Sequence, residues 1–111
     1  MAQDLPPDVA IEPIFVIEAV YGPDAARLRP PVRPEHLGRI ARLRDEGVII
    51  EAGGYTDFSK AILLVRASSE EEALALAEAD VYMRSGVWVS ATAKAYGRVV
   101  RPHELRDATA S

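Results

Sequence analysis

Cysteine is absent from these 111 residues. Disulfides, thiol nucleophiles and thiolate metal sites are therefore excluded. Long apolar runs are missing too. None exceeds a few residues, and spanning a bilayer takes about 20. The opening stretch, MAQDLPPDVA, is acidic and proline-bearing and lacks the charged-then-apolar plan of a secretory signal. A cytoplasmic location is expected. Positive charge is in deficit: 13 basic against 17 acidic residues leave a net charge of −4. A surface built to track phosphates wants the opposite sign, so no nucleic-acid partner is expected. The arginines between Arg27 and Arg44 are interrupted by Glu35 and followed by Asp45 and Glu46. They read as a solvated helix and loop. No glycine-rich phosphate loop or nucleophile elbow appears. The two histidines, His36 and His103, make no ligand cluster, so neither a metal nor a cofactor is expected.

What is present fits one soluble domain with one core. Residues 1–12 read as a flexible tail, 13–100 as the domain and 101–111 as a second tail. Ile14–Tyr21 is β-branched and aromatic and reads as a strand. Gly22-Pro23-Asp24 breaks it, and a polar loop is expected through Pro30-Pro31. A helix should follow from about Arg33 to Glu46. Pro34 is tolerated in a first turn, and Gly47 is placed to end the helix in a left-handed conformation. Val48–Ala52 and Lys60–Arg66 read as a hairpin, with Gly53-Gly54 as a bulge or a close backbone approach. Ser68-Ser69-Glu70-Glu71-Glu72 carries a capping-box pattern that opens a helix to about Ala79. Val87–Tyr96 alternates with period two and forms the last strand.

The order strand, helix, strand, strand, helix, strand is the split βαβ plan of a ferredoxin-like α+β sandwich. Four antiparallel strands then carry two helices on one face. The other face would lie bare, and Trp88 or the Phe15 and Ile17 set would leave too much apolar area in water. A homodimer through the sheet faces is expected; a monomer with a smaller exposed patch is the alternative.

Two polar residues stand where apolar ones would be cheaper. At about 100° per residue, His36 falls on the apolar arc of its helix with Leu37, Ile40 and Leu43. In a first helical turn, the dipole and partial burial would keep its ring neutral, ready to act as a base. A structural histidine bonded to a backbone carbonyl is the alternative. Asp80 follows a helix C-terminus, where the dipole disfavours a carboxylate, so another interaction should compensate. It can cap a short turn over Val81–Arg84 and reach His36 through its second oxygen, or act as a cap alone. Lesser candidates are Arg33, one turn before His36, for an anionic group, and Gly53 and Gly54, whose N–H groups could form a nest. Tyr82 and Trp88 suit a pocket wall, or core and dimer packing.

Three stretches in this order resemble the YCII-related, or YciI-like, family. They are Arg33-Pro34-Glu35-His36-Leu37, then Asp45-Glu46-Gly47 leading to Ala52-Gly53-Gly54, and Ala79-Asp80-Val81-Tyr82 with Ser85-Gly86-Val87-Trp88. The likeness runs from about Ile14 to Val100. It implies a dimeric α+β barrel type of fold and an active site on a histidine and an aspartate, here His36 and Asp80. The family usually has a proline after that aspartate, where this chain has Val81, and Ala-Gly-Pro where it has Ala52-Gly53-Gly54. Some similar proteins act in aromatic degradation, including a chlorohydroxyhydroquinone dehydrochlorinase.

The expectation is a small enzyme performing acid–base chemistry, an elimination or isomerisation, on a small anionic or aromatic molecule. His36 would move the proton and Asp80 would orient the imidazole. The alternative is a non-catalytic dimer that binds a metabolite or serves another enzyme. A regulatory fragment acting on nucleic acid is a third reading, opposed by the acidic charge.

Overall fold

The structure, a computed structural model, describes residues 4–105. Residues 1–3 and 106–111, assigned above to the two tails, lie outside the described residues. The elements run β1 (Ala10–Tyr21), α1 (Ala25–Asp45), β2 (Ile49–Gly54), β3 (Lys60–Val65), α2 (Glu70–Glu78), α3 (Val81–Arg84) and β4 (Trp88–Val100). A 3-10 turn follows at Pro102–Glu104. All strand pairs are antiparallel, in the order β2-β3-β1-β4. The fold is the ferredoxin-like α+β sandwich, with its helices on one sheet face.

β1 is central, and its register decides what the helices cover. Phe15 stands between Val65 and Ala95, Ile17 between Leu63 and Ala93, and Ala19 between Ala61 and Ala91. Paired residues share a face. That face meets Ala73, Ala77, Val81 and Tyr82 from the helices and forms the core. Small alanines on it let the helices close on the sheet. This reverses the expectation for Phe15, Ile17 and Trp88, which lie under the helices and not on the bare side. The open face carries Val16, Val20, Ile62 and Leu64 instead. It also holds Glu12, 6% exposed, between Arg66 (2.7 Å) and Arg98 (2.9 Å). β1 starts at Ala10, so residues 10–12 pair with β4 and are not tail.

α1 is eight residues longer at its start than its prolines predict. The segment around Pro30-Pro31, expected as a loop, is helical, and Pro34 is interior as well. Each proline removes one intrahelical bond. All three are exposed, so the carbonyls left free can meet water. An apolar stripe at Ala25, Leu28, Val32, His36, Ile40 and Leu43 runs through the prolines without a break and packs on the core. Burial of that stripe outweighs the lost bonds. Gly47, at φ 80°, ends the helix as expected, and Val48 N–H reaches back to the Leu43 carbonyl at 2.9 Å.

α2 opens on its capping pair. Ser69 Oγ accepts from Glu72 N–H (3.0 Å), and the Glu72 carboxylate accepts from Ser68 N–H (2.6 Å). Gly53 and Gly54 belong to β2, with no positive φ, so they form neither bulge nor nest. The register shift falls between Ile49 and Glu51. The loop 55–59 that joins β2 to β3 holds Phe58 at φ 60°, a costly place for a bulky side chain.

Candidate active site

His36 and Asp80, 44 positions apart, meet beneath the middle of α1. His36 Nδ1 lies 2.7 Å from Asp80 Oδ1. Asp80 caps α3, as one reading of its position had it. The same Oδ1 accepts Tyr82 N–H at 2.9 Å. The division of labour differs from expectation, because the second oxygen is not free for His36. Oδ2 instead takes the Arg39 guanidinium at 2.9 Å, and Arg39 also donates to the Leu76 carbonyl at 2.9 Å. Three donors therefore converge on one carboxylate that is 1% exposed.

Burial pushes the Asp80 carboxyl toward its neutral form. The hydrogen bonds from His36 and from Tyr82 N–H, the charge of His36 and the Arg39 bond outweigh that, and hold its pKa below the ordinary 3.8. Asp80 is thus a carboxylate at neutral pH and can only accept. It follows that His36 Nδ1 carries the hydrogen of their shared bond. Nε2 is the nitrogen left over. It has no hydrogen-bond partner among the described residues and is not among their sealed, unpartnered atoms. The dipole argument for His36 does not survive. The residue lies deep inside α1, far from the N-terminus, and its orientation comes from Asp80.

Aromatic packing fixes the rest of the ring. Tyr82 stacks on His36 with centroids 3.6 Å apart and planes 8° from parallel. Trp88 stands edge-on to both, at 5.3 and 5.4 Å. Tyr82 and Trp88, 2% and 1% exposed, serve as core and as cavity wall at once. The cavity beside them measures about 390 Å³. It is bounded by α1, the end of β2, the 55–59 loop and the start of β4. Burial pushes the Tyr82 phenol up in pKa, while Arg29 and Arg33 oppose that shift. The phenol is therefore held protonated as a hydrogen-bond group.

Each residue singled out from the sequence borders this cavity or stands directly behind it. His36, Arg33, Gly53, Gly54 and Tyr82 line it, while Asp80 lies behind His36. Gly54 faces inward, where an added Cβ would come 3.2 Å from the Tyr21 hydroxyl. Sequence reasoning missed Arg39, placed on the solvent arc; its spacing of three from His36 was the available signal. It also missed Arg29, Tyr21 and Phe58 on the wall. Among the described residues, no group of three or more His, Asp or Glu side chains could hold a metal ion. No described helix is long and apolar enough to cross a membrane.

A two-layer α+β domain whose helix-covered cleft carries a histidine–aspartate dyad is a recognisable class of small protein. The chain belongs to the YCII-related family, whose domain model matches residues 14–95. It is 32% identical over 96 residues to Protein YciI of Escherichia coli O6:H1 and, equally, to that of Shigella flexneri. Each match covers 78% of this chain and 98% of the relative. Among solved structures it is similar to the 5-chloro-2-hydroxyhydroquinone dehydrochlorinase of Burkholderia phenoliruptrix in complex with 2,5-dihydroxybenzoquinone. That likeness has a TM-score of 0.62 at 20% identity, covers 75% of this chain and 92% of the other, and is one of fold.

Proposed function

We propose that this protein is a cytoplasmic enzyme that moves a proton on a small anionic or aromatic molecule, in an elimination or isomerisation. His36 Nε2 takes the proton from a carbon or hydroxyl of the bound molecule. In an elimination the bond to the leaving group breaks and that group departs as an anion; in an isomerisation the imidazolium returns the proton to another atom of the same molecule. Asp80 keeps the free nitrogen aimed inward and stabilises the imidazolium that forms. Arg33, Gly53, Gly54 and Tyr82 border the bound molecule. The observation that carries this reading is the division of the imidazole: Nδ1 is locked to a buried carboxylate, and Nε2 is unpartnered beside a cavity. The dehydrochlorinase of like fold supports elimination as the first reaction to test.

The test offers 5-chloro-2-hydroxyhydroquinone and its chlorine-free analogue to the protein in deuterated water. Chloride release or deuterium incorporation above the uncatalysed rate is expected. If neither occurs with either ring, the enzyme reading fails for this substrate class, and a binding role takes its place.

We also propose a homodimer closed by the open sheet faces, with Val16, Val20, Ile62 and Leu64 at its centre. These four are only half-buried in one chain, and a second copy would remove them from water. Sedimentation should give twice the chain mass, and Leu64→Glu should give the chain mass alone. A wild-type monomer at micromolar concentration contradicts the dimer.

A further inference from the structure

Two cations beside the cavity have no carboxylate counter-ion among the described residues. Arg29 and Arg33 lie one helical turn apart on α1, and His36 follows within another turn, so all three project from one stripe. Both arginines line the cavity. Every other described arginine except Arg42 lies within 4 Å of a carboxylate. Arg29 rests instead on the face of Phe58, its guanidinium carbon 4.4 Å from the ring centroid. Among the described residues no aspartate or glutamate lines the cavity, in a chain whose net charge is −4. An acidic protein has therefore kept carboxylates off one wall and left two guanidinium groups open there. Their field reaches inward, since both act on the Tyr82 phenol.

Phe58 supplies the second observation. It is the sole non-glycine residue at positive φ among those described. Ser59 holds the turn by donating its N–H and its hydroxyl to Asp57 Oδ1, at 2.9 and 2.6 Å. Tyr21 meets the same ring edge-on at 5.6 Å. The strained backbone thus sets one ring against both Arg29 and Tyr21 on the cavity wall. Helix rise places the Cα atoms of Arg33 and Arg29 about 4.5 and about 10.5 Å along the axis from that of His36. An anionic group held by the arginines would leave the body of a planar molecule among Tyr21, Tyr82 and Trp88, with its far side near Nε2.

We propose that Arg29 and Arg33 form an anion clamp that selects a planar aromatic ring bearing a carboxylate or phenolate. Phe58 is the positioning residue that holds the Arg29 guanidinium at the cavity mouth. The clamp rests on reading the cavity as the substrate site, but it requires no turnover. A guanidinium grips a carboxylate through paired N–H donors, which a neutral amide of the same shape does not match.

Benzoate and benzamide, nearly identical in shape, separate charge from size. Their binding is followed by amide chemical shifts in the full chain. Benzoate is expected to shift His36, Tyr82 and Trp88 saturably and to bind about tenfold tighter than benzamide. Arg29→Gln and Arg33→Gln should each remove most of that preference, weakening benzoate far more than benzamide. Phe58→Leu should weaken benzoate binding severalfold, and Phe58→Tyr, which keeps the aromatic face, should restore it. Equal affinity for the two probes, a preference indifferent to both arginine variants, or no saturable shift up to about 10 mM overturns the clamp. Rescue by leucine as good as by tyrosine overturns the role of Phe58. If the preference depends on Arg29 and Arg33 while no ring is ever turned over, the clamp stands and the catalytic reading falls. If turnover is found and the arginine variants keep the preference, the reverse holds.

Discussion

Asp80→Asn is expected to lower turnover by about 10³–10⁴-fold and to weaken the fold as well. Three donors point at the wild-type carboxylate: His36 Nδ1–H, Tyr82 N–H and the Arg39 guanidinium. Asparagine offers one acceptor oxygen and an NH₂ group. Held toward the charged Arg39, the oxygen takes the Oδ2 place, and the NH₂ at the Oδ1 place donates to His36 Nδ1 and leaves Tyr82 N–H without its acceptor. The imidazole proton then moves to Nε2, where it blocks the nitrogen that must accept. Removing one partner from a buried charged network costs about 3–5 kcal/mol at full strength. Retention of one acceptor brings the expected loss to roughly 3 kcal/mol, or about 12 °C in melting temperature for a chain this size. The pH dependence has a definite sign. The pKa of Asp80 is lower in the folded state, so its stabilisation is complete above the ordinary 3.8 and disappears as pH falls through the folded value. Melting curves of wild type and variant should therefore stand apart at pH 7 and draw together as pH falls through the folded-state value.

His36→Gln should separate the two effects. Glutamine can still donate to Asp80, so the carboxylate keeps a partner. The stacking on Tyr82, worth about 0.5–1.5 kcal/mol, is lost. The proton acceptor is lost entirely. Turnover of the ring that proves to be a substrate is expected to fall by about 10²–10⁴-fold, with the loss in kcat and little change in KM. A drop in KM-dependent binding with kcat intact would assign His36 to recognition and not to proton transfer.

The parts of the fold legible from sequence were those in which local preference and tertiary packing agree. The period-two run of β4, the Ser69–Glu72 cap and the Gly47 stop each specify one local structure, and the structure contains all three. The N-terminal half of α1 was hidden because its prolines point one way and its apolar stripe another. Counting bonds favoured a loop; burial of Ala25, Leu28 and Val32 favoured a helix, and burial won. That error carried into the electrostatics of His36, since a residue in the middle of a helix gains nothing from the dipole at its end. The sheet faces were misjudged for a different reason. Two apolar faces look alike in sequence, and only the register of Phe15 against Val65 and Ala95 shows which one the helices cover.

At the site, His36 and Asp80 stood out because each breaks a rule. A histidine on an apolar arc and a carboxylate after a helix C-terminus both require compensation, and they supply it to each other. Arg39 broke no rule. It sits among charged residues on a helix that looks solvated, and its bond to Asp80 needs a contact 41 positions away. Arg29 and Phe58 were equally silent. An arginine in an acidic chain is ordinary until its neighbours are known, and a strained phenylalanine has no signature in sequence.

The central claim is tested most directly by the side-chain nitrogen resonances of His36. Long-range ¹H–¹⁵N correlation, recorded where the imidazole is neutral, reports which nitrogen carries the proton. The account predicts a proton on Nδ1, held toward Asp80, and a bare Nε2 whose resonance moves when a ring enters the cavity. A proton on Nε2, or an Nε2 resonance indifferent to every cavity ligand, would contradict it.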